Sequence, residues 1–299
     1  MSHSNKHEPL PALPGQDDFA PVECVTGSTD APVLFLCDHA SNALPPRYGT
    51  LGLPPEQLDR HIGWDIGAAD VTRALAARFN APALLTRFSR LLIDPNRGAD
   101  DPTLVMRLSD GAIIPGNLTA DRQEIDHRRA AYWQPYRDAV RSTIDGMMAR
   151  NIIPAIISIH SFTDVWRGNK RPWQIGLLWD SDWRLPMRLY QALQRDAGLQ
   201  TGDNEPYDGA LTGDTLYEHG TLRGLPHVLI EVRQDLIATP ATAHVWAERI
   251  AGPLAEALDA DGMDKVHYFT SRAGRGNRPR LADRETGTGQ HPIPVRLKA

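Results

Sequence analysis

The sequence predicts an α/β fold in which a largely parallel or mixed sheet is covered by helices on both faces. Short apolar runs alternate with helical patterns through the middle of the 299-residue chain, as in covered α/β sheets. The run over 152–159 is nearly all apolar, which is expected of a central strand buried on both faces. A hydrophobic content of 41% is enough for one large core.

Residues 21–270 are expected to form a single α/β domain, because no linker-like stretch interrupts 30–260. Residues 1–20 are rich in Pro and polar residues, which predicts a flexible N-terminal segment. Residues 271–299 carry Gly, Arg and Pro with few large apolar groups. Such a composition does not offset the entropy of ordering, so we expect a flexible or loosely packed tail. The alternative for its arginines is contact with RNA or an acidic partner.

The composition indicates which binding partners and which cellular compartment are expected for this protein. A net charge of -5 and a pI near 6.1 give no general attraction to nucleic acid or anionic membranes. The two cysteines, Cys24 and Cys37, exclude a disulfide scaffold. No apolar run approaches the roughly 18 residues of a membrane span, and the polar N-terminus lacks a signal-peptide core. We therefore expect a cytoplasmic protein that acts on a small molecule.

The predicted strands share short length and apolar character. They are 33–37, 83–88, 91–93, 152–159, 174–179 and 228–230. Pro95 and Gly98 take the chain out of the sheet after 91–93, which puts Asn96 and Arg97 on a loop. Residues 99–118 have no regular pattern and are expected to form a long excursion, a feature that is often functional in compact domains.

The predicted helices are 65–79, 119–150, 185–197 and 239–258. In the first, Val71, Leu75 and Phe79 recur at the spacing of one helix face. In the second, Thr119 is expected to cap the N-terminus and Pro135 to kink or split the helix. In the last, Thr239 is expected as the N-cap ahead of a first-turn proline.

Two of the predicted strands lead into a histidine, and this is the main indication of function. His39 follows 33–37, and His160 follows 152–159. In open α/β sheets, ligands bind outside the carboxyl ends of the strands. Two imidazoles from separate strands, with nearby carboxylates, therefore predict a divalent-metal hydrolase site. The alternative is that each histidine has only a structural role.

A hydrolytic zinc site needs about three protein ligands. We predict Asp65 as the third, although it stands where the chain enters a helix and so fits an N-cap equally well. Asp38, Asp59 and His61 are alternatives. Asp38 fits a second role, as the partner that orients His39.

Glu231 follows the run over 228–230 and is the candidate general base. A carboxylate beside an activated water can take its proton and pass it to a leaving amine. The structural alternative is a buried ion pair with Arg233 or another arginine, and alternation along a strand places Arg233 on the same face.

Arg97, with Asn96, is the candidate receptor for a substrate carboxylate, because a guanidinium group matches a carboxylate bidentately. Arg90 is a second candidate, or else holds Asp94, whose expected role is a structural clamp in this loop. Tyr207 lies in a Gly-rich loop and is either a lid residue over the substrate or part of a plain turn.

Other reaction types are not indicated by the motifs. The sequence has no Gly-x-Gly-x-x-Gly, no Gly-x4-Gly-Lys-Ser/Thr and no Gly-x-Ser-x-Gly. Ser161 beside His160 does not make a catalytic triad by adjacency alone. Nucleotide cofactors and a serine nucleophile are therefore unsupported.

Six segments, in order, resemble the N-formylglutamate amidohydrolase family. They are LCDHASN (36–42), HIGWDIGA (61–68), LIDPNR (92–97), IHSF (159–162), GDNEPY (202–207) and GLPHVLIEVRQD (224–235). The resemblance spans about residues 30–260. It implies a three-layer α/β/α fold with a mixed central sheet, the phosphorylase/hydrolase-like fold of zinc exopeptidases, and hydrolysis of N-formyl-L-glutamate to formate and glutamate, a step in histidine catabolism.

The resemblance also implies roles for individual residues. It implies Zn²⁺ or a similar divalent metal at His39 and His160, with Asp65 as an acidic ligand, and Glu231 as general base. Asn96 and Arg97 match the segment expected to hold the substrate carboxylate. The first motif here is Asp-His-Ala-Ser-Asn rather than the family's Pro-His-Ser-Gly-like motif, so the chain resembles a divergent branch.

The predicted function is metal-dependent hydrolysis of an N-formyl or N-acyl amino acid that carries a carboxylate. One alternative is another deacylase or a carboxypeptidase-like hydrolase on the same site. The other is a non-catalytic metal-binding protein of this fold.

Overall fold

The computed structural model describes residues 19–28, 30–274 and 280–281. Its strands are β1 (Val22–Val25), β2 (Val33–Cys37), β3 (Ala83–Thr86), β4 (Leu108–Ser109), β5 (Ala112–Ile113), β6 (Ala155–Phe162), β7 (Val165–Trp166), β8 (Asn169–Lys170), β9 (Ile175–Leu178), β10 (Thr201–Asp203) and β11 (His227–Arg233). Its α-helices are α1 (Pro55–Leu58), α2 (Ala68–Phe79), α3 (Pro115–Leu118), α4 (Arg122–Arg128), α5 (Gln134–Met148), α6 (Arg184–Leu193), α7 (Thr215–His219) and α8 (Pro240–Leu258).

Seven strands form one mixed sheet in the order β1-β3-β2-β6-β11-β9-β10. The four strands β3, β2, β6 and β11 are mutually parallel. β1 pairs antiparallel at one edge, and β9 runs antiparallel to β11. The predicted mixed sheet is therefore confirmed, and its parallel centre brings the carboxyl ends of β2, β6 and β11 to the same edge.

Helices cover both faces of this sheet, which confirms the three-layer α/β/α architecture. On one face, α2, α6 and α8 pack together over Phe35, Ile157 and Ile159. On the other, α5 packs its apolar face against Leu36 and Ile156. Successive residues of a strand point to opposite faces, so the nearly continuous apolar run of β6 supplies both cores.

Some predicted elements differ from the structure. The run over 91–93 forms buried turns instead of a strand. The helix predicted over 119–150 is capped by Asp121, not Thr119, and a π-helical turn, Arg129–Trp133, separates α4 from α5. Apolar character alone does not distinguish a buried strand from a buried turn. The N-cap at Thr239 is confirmed, with a capping box to Thr242.

Two described residues of the C-terminal segment over 271–299, predicted to be flexible or loosely packed, are buried against the domain. Arg272 is 7% exposed and Leu281 is 1% exposed. Leu281 packs against Trp179 and Met187. Residues 275–279 and 282–299 of the predicted tail lie outside the described residues. The predicted flexible segment 1–20 falls almost wholly outside the described residues.

Within the described part of the chain, no helix has both the length and the apolar character needed to span a membrane.

Gly67 precedes α2 and fixes the path of the chain next to the strand ends. Its φ is +79°, and a Cβ there would lie 2.0 Å from the carbonyl oxygen of Ile237. We expect Gly67→Ala to lower the free energy of unfolding by about 2–4 kcal/mol, because both the left-handed backbone and the clash oppose it. Urea denaturation measures this change.

The matched control is Gly146→Ala in α5, where the nearest atom to an added Cβ is Arg150 Nη1 at 3.9 Å. This substitution should raise the free energy of unfolding by about 0.5–1 kcal/mol, because alanine restricts the unfolded chain. Equal changes in the two variants would contradict the constraint at Gly67.

Candidate functional site

The parallel centre of the sheet brings together the two predicted histidines and the predicted general base. Glu231 of β11 lies in register with His160 of β6. On the other side of β6, Leu36 of β2 pairs with Ser158, and the chain of β2 runs on to His39. The imidazole centroids of His39 and His160 are 4.9 Å apart. Strand pairing therefore places these three side chains at one edge.

Both imidazoles face the carboxylate of Asp65 through the same ring nitrogen. His160 Nδ1 lies 2.9 Å from Asp65 Oδ2, and His39 Nδ1 lies 3.4 Å from the same oxygen. Asp65 is 4% exposed. The N-cap alternative for Asp65 is wrong, since Gly67 precedes α2 without a side-chain cap. The backbone N–H that Asp65 accepts belongs to Ser161, at 3.3 Å.

A further carboxylate fixes each imidazole from its other nitrogen. His39 Nε2 lies 2.7 Å from Asp94 Oδ1, and His160 Nε2 lies 2.9 Å from Asp38 Oδ2. Such pairing fixes the tautomer in which Nε2 carries the proton and leaves Nδ1 free to coordinate. Asp38 was predicted to orient His39. It does orient an imidazole, but that imidazole is His160, whereas Asp94 orients His39.

The carboxylates that orient the imidazoles are themselves held. Asp38 accepts from Thr215 Oγ1 at 2.6 Å and from Ser158 Oγ at 2.7 Å. Asp94 accepts from Arg90 Nη2 at 2.8 Å. Arg90 also reaches Asp65 Oδ1 at 3.5 Å. Arg90 was predicted either to bind the substrate carboxylate or to hold Asp94, and the structure shows that it holds Asp94.

The donor set fits a divalent metal. One ligand atom from each of His39, Asp65 and His160 can be chosen so that all lie within 4.8 Å of one another, and all three residues are buried. Two nitrogens and one oxygen are the ligands of a catalytic zinc site that keeps a position open. The alternatives do not join this group: Asp59 is exposed and accepts from Asn42, and His61 lies 3.4 Å from Asp110.

The electrostatics of this group favour a cation. Burial by itself raises the pKa of Asp38 and Asp65, but the two imidazoles hold both values well below the ordinary range. Burial likewise lowers the pKa of His160, yet its two carboxylate partners raise it well above its usual value. Positive charge between these carboxylates is therefore stabilised.

Glu231 differs from the other carboxylates because its Oε2 has no hydrogen-bond partner among the described residues. The side chain is buried, at 5% exposure. The predicted ion pair with Arg233 is absent, since Arg233 binds Asp235 at 2.8 Å. Burial raises the pKa of Glu231 to about 7. A carboxylate with this pKa can both accept and release a proton near neutral pH.

These groups line a pocket of about 490 Å³. The four residues that the sequence offered as substrate-binding candidates, Arg90, Asn96, Arg97 and Tyr207, also line it. Arg97 is half-buried, and its Nη1 donates to its neighbour's backbone, the Asn96 carbonyl oxygen, at 2.9 Å. Thr215 N donates to Asn96 Oδ1 at 3.0 Å. The volume suits a small molecule.

Tyr207 stands at the rim of the pocket. It is 44% exposed, and the guanidinium of Arg171 lies 5.0 Å from its ring centroid. Arg171 also donates to the carbonyl oxygen of Thr163, a residue of the pocket wall, at 3.2 Å. Tyr207 thus lies where a lid residue would, although it belongs to a loop held by other contacts.

Sequence reasoning missed several residues that support the site. Arg137 is buried and donates to the carbonyl oxygens of Pro95 at 3.0 Å and Gly213 at 2.9 Å. Asp214 caps α7 and lines the pocket, and burial raises its pKa to about 7. An Asp directly before a helix is a recognisable N-cap, but nothing local indicates that Asp214 also lines the pocket.

Comparisons with known proteins agree with this geometry. A sequence model of the family described as N-formylglutamate amidohydrolase matches residues 31–238. Among solved structures, gene product Atu2144 from Agrobacterium tumefaciens is 35% identical, with a TM-score of 0.76 over 80% of this chain and 94% of its own. The N-formylglutamate amidohydrolase from Ralstonia eutropha JMP134 is 21% identical, with a TM-score of 0.58 over 80% and 97%, and is similar in fold. No protein with a curated description matches significantly.

The buried carboxyl of Glu231 should make stability depend on pH. Its folded-state pKa is about 7, whereas the ordinary value is 4.5. Between these values the folded state retains a proton that the unfolded state has lost, so the stability of the parent protein falls as pH rises. Glu231→Gln removes this titration.

We therefore expect Glu231→Gln to gain stability relative to the parent, by about 2–3 kcal/mol between about pH 4.5 and pH 7.5. The measurement is urea denaturation of both proteins in EDTA across this range. A constant difference between the two proteins would contradict the burial of an ionisable, unpaired carboxyl.

Proposed function

The chain belongs to the N-formylglutamate amidohydrolase family, and from this premise we propose that it hydrolyses an N-formyl or N-acyl amino acid in a metal-dependent reaction. The observation that carries the proposal is the buried group His39, Asp65 and His160 beside an unpaired Glu231 in one pocket. The family supports a hydrolase of amide bonds, and the side chains supply the means of activating water. The substrate is a small acyl amino acid with a free carboxylate.

We assign the metal to Nδ1 of His39, Nδ1 of His160 and the carboxylate of Asp65. Asp94 and Asp38 support this assignment because they accept hydrogen bonds from Nε2 of His39 and His160. At such a site, a zinc or similar divalent ion supplies polarisation of a carbonyl oxygen and a lowered pKa for water. The protein's own part is to hold the donors rigidly and to exclude competing ligands.

Glu231 is the proposed general base. Its raised pKa follows from burial, so the carboxylate gains from accepting the proton of the attacking water. The same carboxyl then releases that proton to the nitrogen of the scissile amide. A group bound in a salt bridge would be poorly suited to this transfer, whereas Oε2 of Glu231 has no such partner within the described chain.

Arg97 and Asn96 are the proposed receptors of the substrate carboxylate. Arg97 carries a planar set of donors on the pocket wall, which matches a carboxylate better than a lysine would. The amide nitrogen of Asn96 is the second donor, since its oxygen already accepts from Thr215 N. Tyr207 is the proposed lid residue, and Arg90 acts indirectly by holding Asp94.

The first test concerns the metal. Protein purified without added metal is expected to contain about one zinc or similar divalent ion per chain. His39→Ala and His160→Ala should lose it, because two remaining ligands bind weakly. Elemental analysis measures the content, and circular dichroism checks the fold.

His227→Ala is the control for this test. His227 is also buried, but both of its ring nitrogens are bonded within the core, to Leu225 O at 2.8 Å and to Thr221 Oγ1 at 3.1 Å. The control should retain the metal. Absence of metal from the parent protein, even after reconstitution, would overturn the proposed mechanism and favour a role without this chemistry.

The second test concerns proton transfer. Glu231→Gln should keep the metal and the fold while kcat falls by about 10²–10⁴-fold, because the amide cannot accept the proton. Initial rates with N-formyl-L-glutamate, N-acetyl amino acids and a peptide panel measure this and identify the acyl group. Turnover equal to that of the parent on the best substrate would remove Glu231 from this role.

The third test concerns substrate recognition. Arg97→Ala should raise KM by about 10–100-fold with a smaller change in kcat, because the carboxylate is bound equally in substrate and transition state. Arg107→Ala, a substitution outside this pocket, is the control and should leave KM unchanged. If KM for a carboxylate substrate is the same in Arg97→Ala and the parent, another residue binds the carboxylate.

A further inference from the structure

Arg272 lies after the last helix of the domain and is almost fully buried. Its guanidinium donates to the backbone carbonyl oxygens of Trp179 at 2.6 Å and Asp180 at 2.8 Å. Its Nη1 donates to Asp208 Oδ2 at 2.9 Å, and Nη2 binds the other oxygen of the same carboxylate. Its backbone N–H donates to Asp180 Oδ1 at 2.9 Å. One side chain therefore joins two separate parts of the chain.

Those two parts are the end of β9 and the wall of the pocket. Trp179 and Asp180 follow β9 directly. Asp208 begins a stretch, 208–211, whose residues all line the pocket beside Tyr207. Arg272 itself does not line the pocket. It holds the wall from behind, through a bidentate contact that fixes the direction of the Asp208 carboxylate.

The pocket wall is packed closely against β9 at the point that Arg272 bridges. A Cβ on Gly209 would lie 2.2 Å from the backbone nitrogen of Trp179. Asn204 Oδ1 accepts from both of these residues, from Trp179 N at 2.9 Å and Gly209 N at 3.1 Å. The loop therefore sits on the strand end without an intervening side chain, and a small displacement of Asp208 would move the wall.

We propose that Arg272 is a positioning residue for substrate binding, which acts through Asp208 on the pocket wall over 207–211. The family match ends at residue 238, so this residue is a contribution of the segment beyond the matched region. The proposal rests on the proposed function, because it assigns the substrate to that pocket. Removal of the guanidinium takes away its two hydrogen bonds to Asp208 in the wall and its two hydrogen bonds to the carbonyl oxygens that follow β9. The metal-binding side chains His39 and His160 keep their own carboxylate partners.

Arg272→Ala is expected to raise KM by about 10-fold while kcat changes by less than about 3-fold, since binding geometry is lost and the reacting groups are retained. Hydrogen exchange of the backbone amides over 203–211 should become faster, whereas exchange in β6 should not change. Arg272→Lys should have a KM between those of Arg272→Ala and the parent, because one ammonium group cannot make the bidentate contact and also bind both carbonyl oxygens.

Arg184→Ala is the matched control. Arg184 is also largely buried and holds the stretch of chain just after α8, through the carbonyl oxygens of Gly262 at 2.9 Å and Lys265 at 2.7 Å. It does not line the pocket. Its removal should lower the melting temperature without raising KM or loosening 203–211. An equal rise of KM in both arginine variants would show a general loss of stability and overturn the proposal.

Asp208→Asn provides a second variant if Arg272→Ala does not fold, because it keeps the shape of the wall and removes the charge pairing. It should raise KM in the same direction, and the double variant with Arg272→Lys should add little further. Unchanged exchange over 203–211 in a folded Arg272 variant, or unchanged KM, overturns the proposal. If the parent protein hydrolyses no acyl amino acid, the proposed function fails, and hydrogen exchange alone decides whether Arg272 holds the wall.

Discussion

The parallel pairing of β2, β6 and β11 is the constraint on which the rest of the site depends. The three strands are adjacent, and β6 is buried along its whole length. Because parallel strands end at the same edge, side chains that follow them meet without any local motif. His160 and Glu231 lie side by side in register on neighbouring strands. His39, His160 and Glu231 are buried at this edge, each with an exposure of 5% or less, and burial lowers the effective dielectric constant around them.

Burial at that edge makes every charge there depend on a partner. An isolated buried carboxylate is costly, so Asp38, Asp65 and Asp94 persist only because imidazoles and the Arg90 guanidinium face them. Glu231 is the exception, and its raised pKa is the consequence. The same low dielectric that stabilises the paired groups therefore prepares the unpaired one for proton transfer.

Buried guanidinium groups hold the loops that complete the pocket. Loops lack the regular hydrogen bonds of helices and strands, so their buried carbonyl oxygens need other donors. Arg137 supplies donors to Pro95 and Gly213, and Arg272 does the same for Trp179 and Asp180. A planar group with five donors suits this role. The site is thus built on strands but shaped by loops that arginines fix.

The sequence by itself determined the fold class, the strand-end histidines and the helix periods, because these follow from short-range patterns of apolar and polar residues. It also singled out Glu231 and the Asn96-Arg97 loop as candidates, and their proposed roles stay predictions. Only the tertiary structure decided which carboxylate faces which imidazole. The contact of Asp38 with Thr215 joins residues 177 positions apart, and no local pattern encodes such a distance. For the same reason, Asp65 could not be distinguished from a helix cap by its local sequence. The role of Arg272 could not be predicted either, because its partners lie more than 60 positions away along the chain.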